Sequence, residues 1–282
     1  MIRNLARADS HPAWCPGCGN FAILKALDEA IAESGIDPDK LVLVSGIGQA
    51  AKTPHYPRTA ANVFNGLHGR ALPAATGMKL ANRELEVVIT SGDGDMYGEG
   101  GNHFIHAVRR NIGVKVFVHN NQVYGLTKGQ ASPTSDMGFA TPVQTTGVIS
   151  QPFNPLALAV VEGAGFVARS FAGDREHLKQ MMVAAMTHRE GLALLDILQP
   201  CVTFNKVNTY KWYRQRVRAI DGNHDPYDRE AALSLALMWG NEIPIGVIYK
   251  SGRASFESQL PVLSTRPIAA ASNQQDAPQE LG

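Results

Sequence analysis

Short apolar runs recur along the chain, separated by segments whose apolar residues fall three and four apart. Leu41–Ser45 is apolar up to its final serine and stops at Gly46-Ile47-Gly48. That is the pattern of a strand buried on both faces and ended by a tight loop. Residues 85–90, 114–119, 166–170 and 192–198 repeat it. Between these runs the period changes. Phe21, Leu24, Leu27 and Ile31 share one helical face, with Asn20 placed to cap the helix and Gly35 to end it. Residues 72–81, 103–110, 155–162, 175–189 and 226–239 read as further helices. Strands alternating with helices predict parallel βαβ units, hence an α/β fold with a doubly wound, mostly parallel sheet. Ligands of such sheets bind at the carboxyl ends of the strands. Three loops rich in Gly, Asp and Asn follow predicted strands, at 46–48, 91–95 and 120–121, so they are expected to meet along one edge.

Composition narrows the class. With 282 residues, 44% hydrophobic and 18% charged, the chain has the make-up of a globular protein with a sizeable core. A net charge of +1 gives no broad field for nucleic acid or an anionic membrane. The segment from Met1 to Ser10 lacks the apolar stretch of a secretory signal, and no run reaches the roughly 18 apolar residues of a membrane span. A cytoplasmic location is therefore expected. From Ser264 onward the sequence is polar, aperiodic and rich in Ala, Gln and Pro. This predicts one domain over residues 1–250 and a C-terminal extension over 251–282, extended or held on a partner.

The strongest chemical signal is Gly92-Asp93-Gly94, followed about 25 residues later by Asn120-Asn121. A diphosphate needs a hard cation beside it, and Mg²⁺ prefers oxygen ligands in an octahedron. Asp93 offers a charged oxygen and Asn121 a neutral one, on adjacent strand ends. Gly92 and Gly94 let backbone approach phosphate without a Cβ, and a following helix would present N–H groups. The spacing matches a thiamine-diphosphate motif. Two ordinary turns would also use these residue types.

The surroundings carry a resemblance. The stretch Trp14-Cys15-Pro16-Gly17-Cys18-Gly19-Asn20, the stretch Leu67-His68-Gly69-Arg70-Ala71-Leu72-Pro73-Ala74-Ala75-Thr76-Gly77, and the stretch from Val123 through Gly125, Leu126, Thr127 and Gly129 to Thr134 all resemble the β subunit of 2-oxoacid:ferredoxin oxidoreductases. The similarity runs in order from about residue 11 to 250. It implies a thiamine-diphosphate-binding fold. Asp93, the Asn121 side chain and the Val123 carbonyl would hold Mg²⁺. Gly92, Gly94, Asp95, Gly125, Leu126 and Thr127 would line the diphosphate. Ile47, Gly48, Gln49 and Ala50, with His68, would lie near the thiazolium and substrate. His68 is also the kind of residue that serves as a hydrogen-bonded core histidine. The implied reaction is oxidative decarboxylation of a 2-oxoacid, with the acyl group taken by coenzyme A and electrons passed to ferredoxin. The family's α subunit supplies the glutamate that activates the cofactor, so this chain is expected to need that partner.

The three cysteines, Cys15, Cys18 and Cys201, form no even disulfide framework. The resemblance makes them three ligands of a [4Fe–4S] cluster, which normally takes four thiolates. The family's fourth falls at position 49, where this chain has Gln49. That leaves a cluster with a fourth oxygen or nitrogen ligand, a three-iron cluster, or none. Zinc would require a second Cys or His pair that is missing. A thioredoxin-like site would require a preceding βαβ unit.

Lys52 follows Gln49 by three residues, where an ammonium can pair with the distal carboxylate of 2-oxoglutarate. A solvated lysine is the plain alternative. The expected substrate is 2-oxoglutarate, with pyruvate second. Residues 210–218 are basic with aromatics interleaved, which suits a partner, coenzyme A or ferredoxin better than nucleic acid given the net charge. The rival functions are a non-redox thiamine enzyme and a non-catalytic metal-binding module built on the cysteines.

Overall fold

The fold is described from a computed structural model covering residues 11–265 together with 267 and 268. The expectations for Met1 to Ser10, and for nearly all of the tail beyond Thr265, lie outside these residues. The strands are β1 (Leu41–Ser45), β2 (Asn62–Asn65), β3 (Glu86–Gly92), β4 (Lys115–Asn120), β5 (Phe166–Phe171), β6 (Ala193–Leu198), β7 (Val217–Ala219) and β8 (Ile243–Lys250). The helices are α1 (Gly19–Ser34), α2 (Ala71–Ala81), α3 (Gly101–Arg110), α4 (Pro155–Val161), α5 (Arg175–Thr187), α6 (Tyr210–Arg216), α7 (Arg229–Leu237) and α8 (Val262–Thr265).

One sheet runs in the order β2-β1-β3-β4-β6-β5-β8-β7. The first six strands in sequence are mutually parallel. β8 runs antiparallel to β5 and carries the short parallel edge strand β7. The expected doubly wound, mostly parallel α/β sheet is present. The central strands alternate between two apolar layers, as the period of two requires. Val42, Val44, Val87, Ile89, Val116 and Val118 face the layer that also holds Phe104, Leu156 and Ala232, from α3, α4 and α7. Leu41, Leu43, Val88, Phe117, Leu195 and Ile197 face Ile23, Leu27, Leu178 and Met182, from α1 and α5. β2 pairs on one side of β1 and β3 on the other. The loops after β1 and β3 therefore flank a topological switch, where such sheets open a crevice.

Several boundaries differ from expectation for local reasons. α1 begins at Gly19, and Cys18 occupies the capping position without a side-chain cap bond. Asn20 is buried inside the helix instead, its Oδ1 2.8 Å from His119 Nδ1 on β4. α7 starts at Arg229 because the Asp228 carboxylate accepts the N–H groups of Glu230 and Ala231. α5 ends at Thr187, where His188 turns extended. β2, β7 and β8 were not expected. β2 is four residues bounded by asparagines, and β8 carries Pro244 and Gly246 within its apolar run. The β5–β8 register shifts between the Val167–Tyr249 and Ala168–Val247 pairs, and Gly246 (φ 138°) pairs with Arg169 just beyond it. Residues 251–263 pack back on the domain rather than leaving it. Ser251 N–H donates to Gly165, Phe256 N–H donates to Asn111, and Glu257 accepts the Gly113 N–H at 3.1 Å.

Candidate functional site

Asp93 follows β3 and is buried, 1% exposed. Its Oδ2 accepts the Thr134 hydroxyl at 2.7 Å and the Ser132 hydroxyl at 2.5 Å. The Asn121 backbone N–H also points at this carboxylate. Burial pushes its pKa up to about 6 against the pull of those donors, and the buried Asp196 carboxylate adds to the rise. Among the described residues no lysine, arginine or histidine pairs with Asp93, so an acidic group lies in the interior without a cation. Such a group is costly unless it is neutralised or coordinates a metal. The fit to Mg²⁺ is good: one carboxylate with neutral oxygen donors close by, the remaining positions left for phosphate and water.

Asn121 lies beside it on the end of β4. Its Oδ1 accepts the Val123 N–H at 3.0 Å and spans Gln122. Gln122 adopts φ 57°, a left-handed conformation unfavourable for a side chain of this size. Its amide fixes that turn from both ends, donating to the Thr134 carbonyl at 2.7 Å and accepting from the Tyr213 hydroxyl at 3.2 Å. Strain held this firmly marks a loop whose shape matters. Beyond it Val123 is buried, and Tyr124 to Gln130 close a small loop through paired backbone bonds. The Thr127 hydroxyl donates to Gln130, while Leu126 is 45% exposed at the loop's tip.

Asp95 and Gly94 also have roles within the protein that the sequence did not indicate. The Asp95 carboxylate turns away from the loop surface and accepts four protein donors. These are Ser91 Oγ at 2.6 Å, Gly69 N–H at 2.8 Å, Ile47 N–H at 3.1 Å and His68 Nδ1 at 2.7 Å. It organises the site rather than offering charge to phosphate. A Cβ on Gly94 would come within 2.3 Å of the Tyr124 ring. The glycine is thus required by packing against Tyr124, whose hydroxyl donates to the Gly94 carbonyl at 3.2 Å. Gly92 meets only the Ala50 methyl, at an ordinary 3.9 Å. Gly94–Glu99 forms a π-helical turn leading into α3. That widening is common at functional sites.

The loops after β1 and β4 face each other. A Cβ on Gly125 would lie 3.9 Å from Gln49 Cγ, and Gln49 Oε1 is buried without a hydrogen-bond partner. His68 uses Nδ1 on Asp95, which leaves Nε2 for a ligand; its side chain is 40% exposed. Lys52 sits in the 3₁₀ turn Ala50–His55, where its Nζ donates to the Ala13 carbonyl at 3.3 Å.

The cysteines gather where the N-terminal segment docks on the end of β6. The Trp14 indole N–H donates to the Gln49 carbonyl at 2.8 Å, so residue 49 lies beside the start of the Cys15 loop. Burial raises Cys18 to about 11, and the nearby Cys201 and Cys15 add to the rise. Gln199 Nε2 donates to Cys18 Sγ at 3.5 Å. Yet among the described residues no three His, Cys, Asp or Glu side chains are grouped closely enough to hold a metal ion. Three thiols without a fourth are an incomplete set for a four-thiolate cluster.

Asp196 escapes a reading of the sequence alone, and so do the roles of Ser132, Thr134 and Asn120, although the motifs contain those three residues. Hydroxyls carry no spacing signal of their own, and Asp196 lies inside the uniformly buried strand β6. The one available hint is a charge in the middle of an apolar run.

Known proteins resemble this chain in sequence and in fold. The family model for the thiamine pyrophosphate enzyme C-terminal TPP binding domain matches residues 46–197, from the loop after β1 to β6. The fold is therefore that of a thiamine-diphosphate enzyme. The family model for the C-terminal part of the pyruvate ferredoxin oxidoreductase beta subunit matches residues 201–265. The 2-oxoacid:ferredoxin oxidoreductase subunit beta of Saccharolobus solfataricus is 47% identical over 257 residues, covering 87% of this chain and 84% of its own. The 2-oxoglutarate oxidoreductase subunit KorB of Mycobacterium tuberculosis is 45% identical over 198 residues, 70% of this chain and 52% of its own. A solved 2-oxoglutarate:ferredoxin oxidoreductase from Magnetococcus marinus, with 2-oxoglutarate, coenzyme A and succinyl-CoA bound, superposes with a TM-score of 0.88. It is 36% identical and covers 96% of this chain and 92% of its own. The chain belongs to the β subunits of the 2-oxoacid:ferredoxin oxidoreductases. It is one subunit of a larger oxidoreductase. No helix among the described residues is long and apolar enough to cross a membrane.

Proposed function

We propose that this chain binds thiamine diphosphate through Mg²⁺ held by Asp93, the Asn121 side chain and the Val123 carbonyl, and that the enzyme it serves oxidises 2-oxoglutarate to succinyl-CoA with ferredoxin as acceptor. The observation that carries the reading is the buried Asp93 carboxylate, fixed by two hydroxyls and lacking a cationic partner among the described residues. When bound, thiamine diphosphate supplies the nucleophilic carbon and electron sink that decarboxylation of a 2-oxoacid requires. The chain's own residues position and enclose. Asp95 holds the loops at 46–50 and 66–70 together. His68 offers Nε2 toward the crevice, and Gly125 keeps the facing loop free of a side chain. Lys52 has three donor directions and uses one on Ala13, leaving others for a distal carboxylate. The substrates for which the KorB relative and the solved neighbour are named favour 2-oxoglutarate over pyruvate. Three thiols and Gln49 do not complete a four-thiolate cluster.

The test is co-purification with the α subunit, followed by assays for bound thiamine diphosphate and Mg²⁺. Coenzyme A-dependent reduction of ferredoxin is then compared for 2-oxoglutarate and pyruvate. Faster reduction with pyruvate would reassign the substrate. Release of carbon dioxide without reduction of ferredoxin would favour a non-redox thiamine enzyme.

A further inference from the structure

Behind Asp93 a chain of buried groups leads away from the crevice. Thr134 Oγ1 lies 2.7 Å from Asp93 Oδ2 and 2.9 Å from Asn120 Oδ1. Asn120 Nδ2 donates to both oxygens of Asp196, each at 3.2 Å. Asp196 also accepts the Tyr97 hydroxyl at 2.8 Å. Asp196 and Arg169 are both buried, at 2% and 4% exposed. The guanidinium acts on Asp196 through space, with no direct ion pair between them. Arg169 Nε has no hydrogen-bond partner, although its other nitrogens reach the carbonyls of Pro244 and Ala236. Between these groups lies a cavity of about 60 Å³, lined among others by Asn120, Thr134, Arg169 and Asp196. The lining is mixed, with Phe153, Leu156 and Trp239 among it, but its polar side carries an unpartnered donor and a carboxylate, which gives a water the polar partners it needs.

We propose that Asp196, bridged by water to Arg169, is a positioning residue for the metal-binding carboxylate: it fixes Asn120, whose Oδ1 sets the position of Thr134, one of the two hydroxyls that hold Asp93 Oδ2. This rests on the assignment of Asp93 as a Mg²⁺ ligand. Without Asp196 the Asn120 amide loses its acceptor and is free to turn. Thr134 then loses one of its fixed neighbours, and its hold on Asp93 Oδ2 loosens while those of Ser132 and the Asn121 N–H remain. Asn120, the first residue of the Asn-Asn pair, thus serves the site from behind, while Asn121 serves it from the front. Mg²⁺ demands near-ideal octahedral geometry, whereas Ca²⁺ accepts irregular coordination. Loss of positioning therefore weakens Mg²⁺ more than Ca²⁺, and loss of general stability does not distinguish them.

The experiment uses the α–β complex stripped of metal and cofactor, with thiamine diphosphate added back. Mg²⁺ and Ca²⁺ affinities are read by titration calorimetry for wild type, Asp196→Asn and the gentler Tyr97→Phe, which remains informative if Asp196→Asn fails to fold. Asp196→Asn turns the charge-assisted hydrogen bond from Asn120 into a neutral one with a single acceptor oxygen, and is expected to weaken Mg²⁺ binding by up to about tenfold and Ca²⁺ by much less. Tyr97→Phe is expected to shift Mg²⁺ in the same direction by a smaller factor. Turnover is expected to recover at saturating Mg²⁺. Equal losses for both metals, or folded variants with wild-type Mg²⁺ affinity, would overturn the proposal. If wild type itself takes up no Mg²⁺ with thiamine diphosphate, the assignment of Asp93 fails, and the positioning role with it.

Discussion

His68 Nδ1 lies 2.7 Å from Asp95 Oδ1, and that same oxygen accepts the backbone N–H groups of Gly69 and Ile47. One carboxylate oxygen therefore joins the loop after β1 to the loop after β2 and sets the histidine between them. The approach is close enough that a Cβ on Gly46 would lie 2.1 Å from Asp95 Oδ2.

Asp95→Ala strands several buried donors at once and is expected to cost about 3–5 kcal/mol of stability, the range for breaking a buried polar network. Affinity for thiamine diphosphate is expected to fall with it, because both loops lose their anchor. Asp95→Asn keeps one acceptor oxygen and should fall between the two. Urea unfolding and cofactor titration on the same samples read both effects. An Asp95→Ala protein with unchanged stability and affinity would show that the loops are held by something else.

Asp93 predicts a pH dependence whose sign depends on the metal. Burial raises its pKa to about 6 from 3.8, so the metal-free fold prefers the protonated carboxyl. The stability contributed by that preference is full below pH 3.8 and is lost as pH rises through about 6. Across the window it amounts to about 3 kcal/mol. The stripped protein should therefore gain stability between about pH 7.5 and 5 relative to Asp93→Asn, which lacks this slope. With Mg²⁺ and thiamine diphosphate bound, the carboxylate is the required form and the dependence should reverse. Urea midpoints at the two pH values, with and without ligand, test it. Parallel slopes for the two stripped proteins would remove Asp93 as the titrating group.

The strands that build the crevice were legible because β1, β3 and β4 are buried on both faces and leave uninterrupted apolar runs. β8 was not, because Pro244 and Gly246 interrupt its run, and tertiary pairing with β5 supplies what local propensity lacks. Asp93 and Asn121 were legible as a spaced motif, and the Asn121 backbone N–H points at the Asp93 carboxylate. Asp95 was expected to line the diphosphate on the family resemblance. The π-helical turn rotates its side chain toward Gly46 instead, and no linear spacing encodes that rotation. Gly94 was expected for its closeness to phosphate, and the structure adds a packing reason, the Tyr124 ring, that the sequence does not show. Partners distant in sequence, such as Thr134 for Asp93, are invisible until the chain is folded.

Gln49 predicts the behaviour of the cysteine site. Its backbone is pinned beside Trp14, one residue before Cys15. A thiol at position 49 would add the missing fourth donor to Cys15, Cys18 and Cys201. Gln49→Cys, purified without oxygen with the α subunit, is expected to hold more iron and sulfide than wild type and to release iron to chelators more slowly. The broad absorbance near 400 nm that accompanies thiolate-bound clusters should rise in proportion. If the variant holds no more iron than wild type, residue 49 does not face the thiols and the three cysteines have another use.

Lys52 predicts substrate preference. Its ammonium lies on the 3₁₀ turn that follows Gln49, anchored by one bond to Ala13. The distal carboxylate of 2-oxoglutarate has no counterpart in pyruvate, so a charge-assisted contact from Lys52 would act on one substrate alone. Lys52→Ala should raise KM for 2-oxoglutarate by about tenfold or more, the worth of one such contact, while KM for pyruvate changes little. Lys52→Arg keeps the charge and should restore part of the preference, though its planar fork will not reproduce the geometry of an ammonium. The Ala13 bond provides an internal control. If Lys52 only tethers the N-terminal segment, its loss disturbs the crevice as a whole, and KM for both substrates rises by the same factor. That result would assign the lysine to structure and leave the preference for 2-oxoglutarate to another residue or to the α subunit.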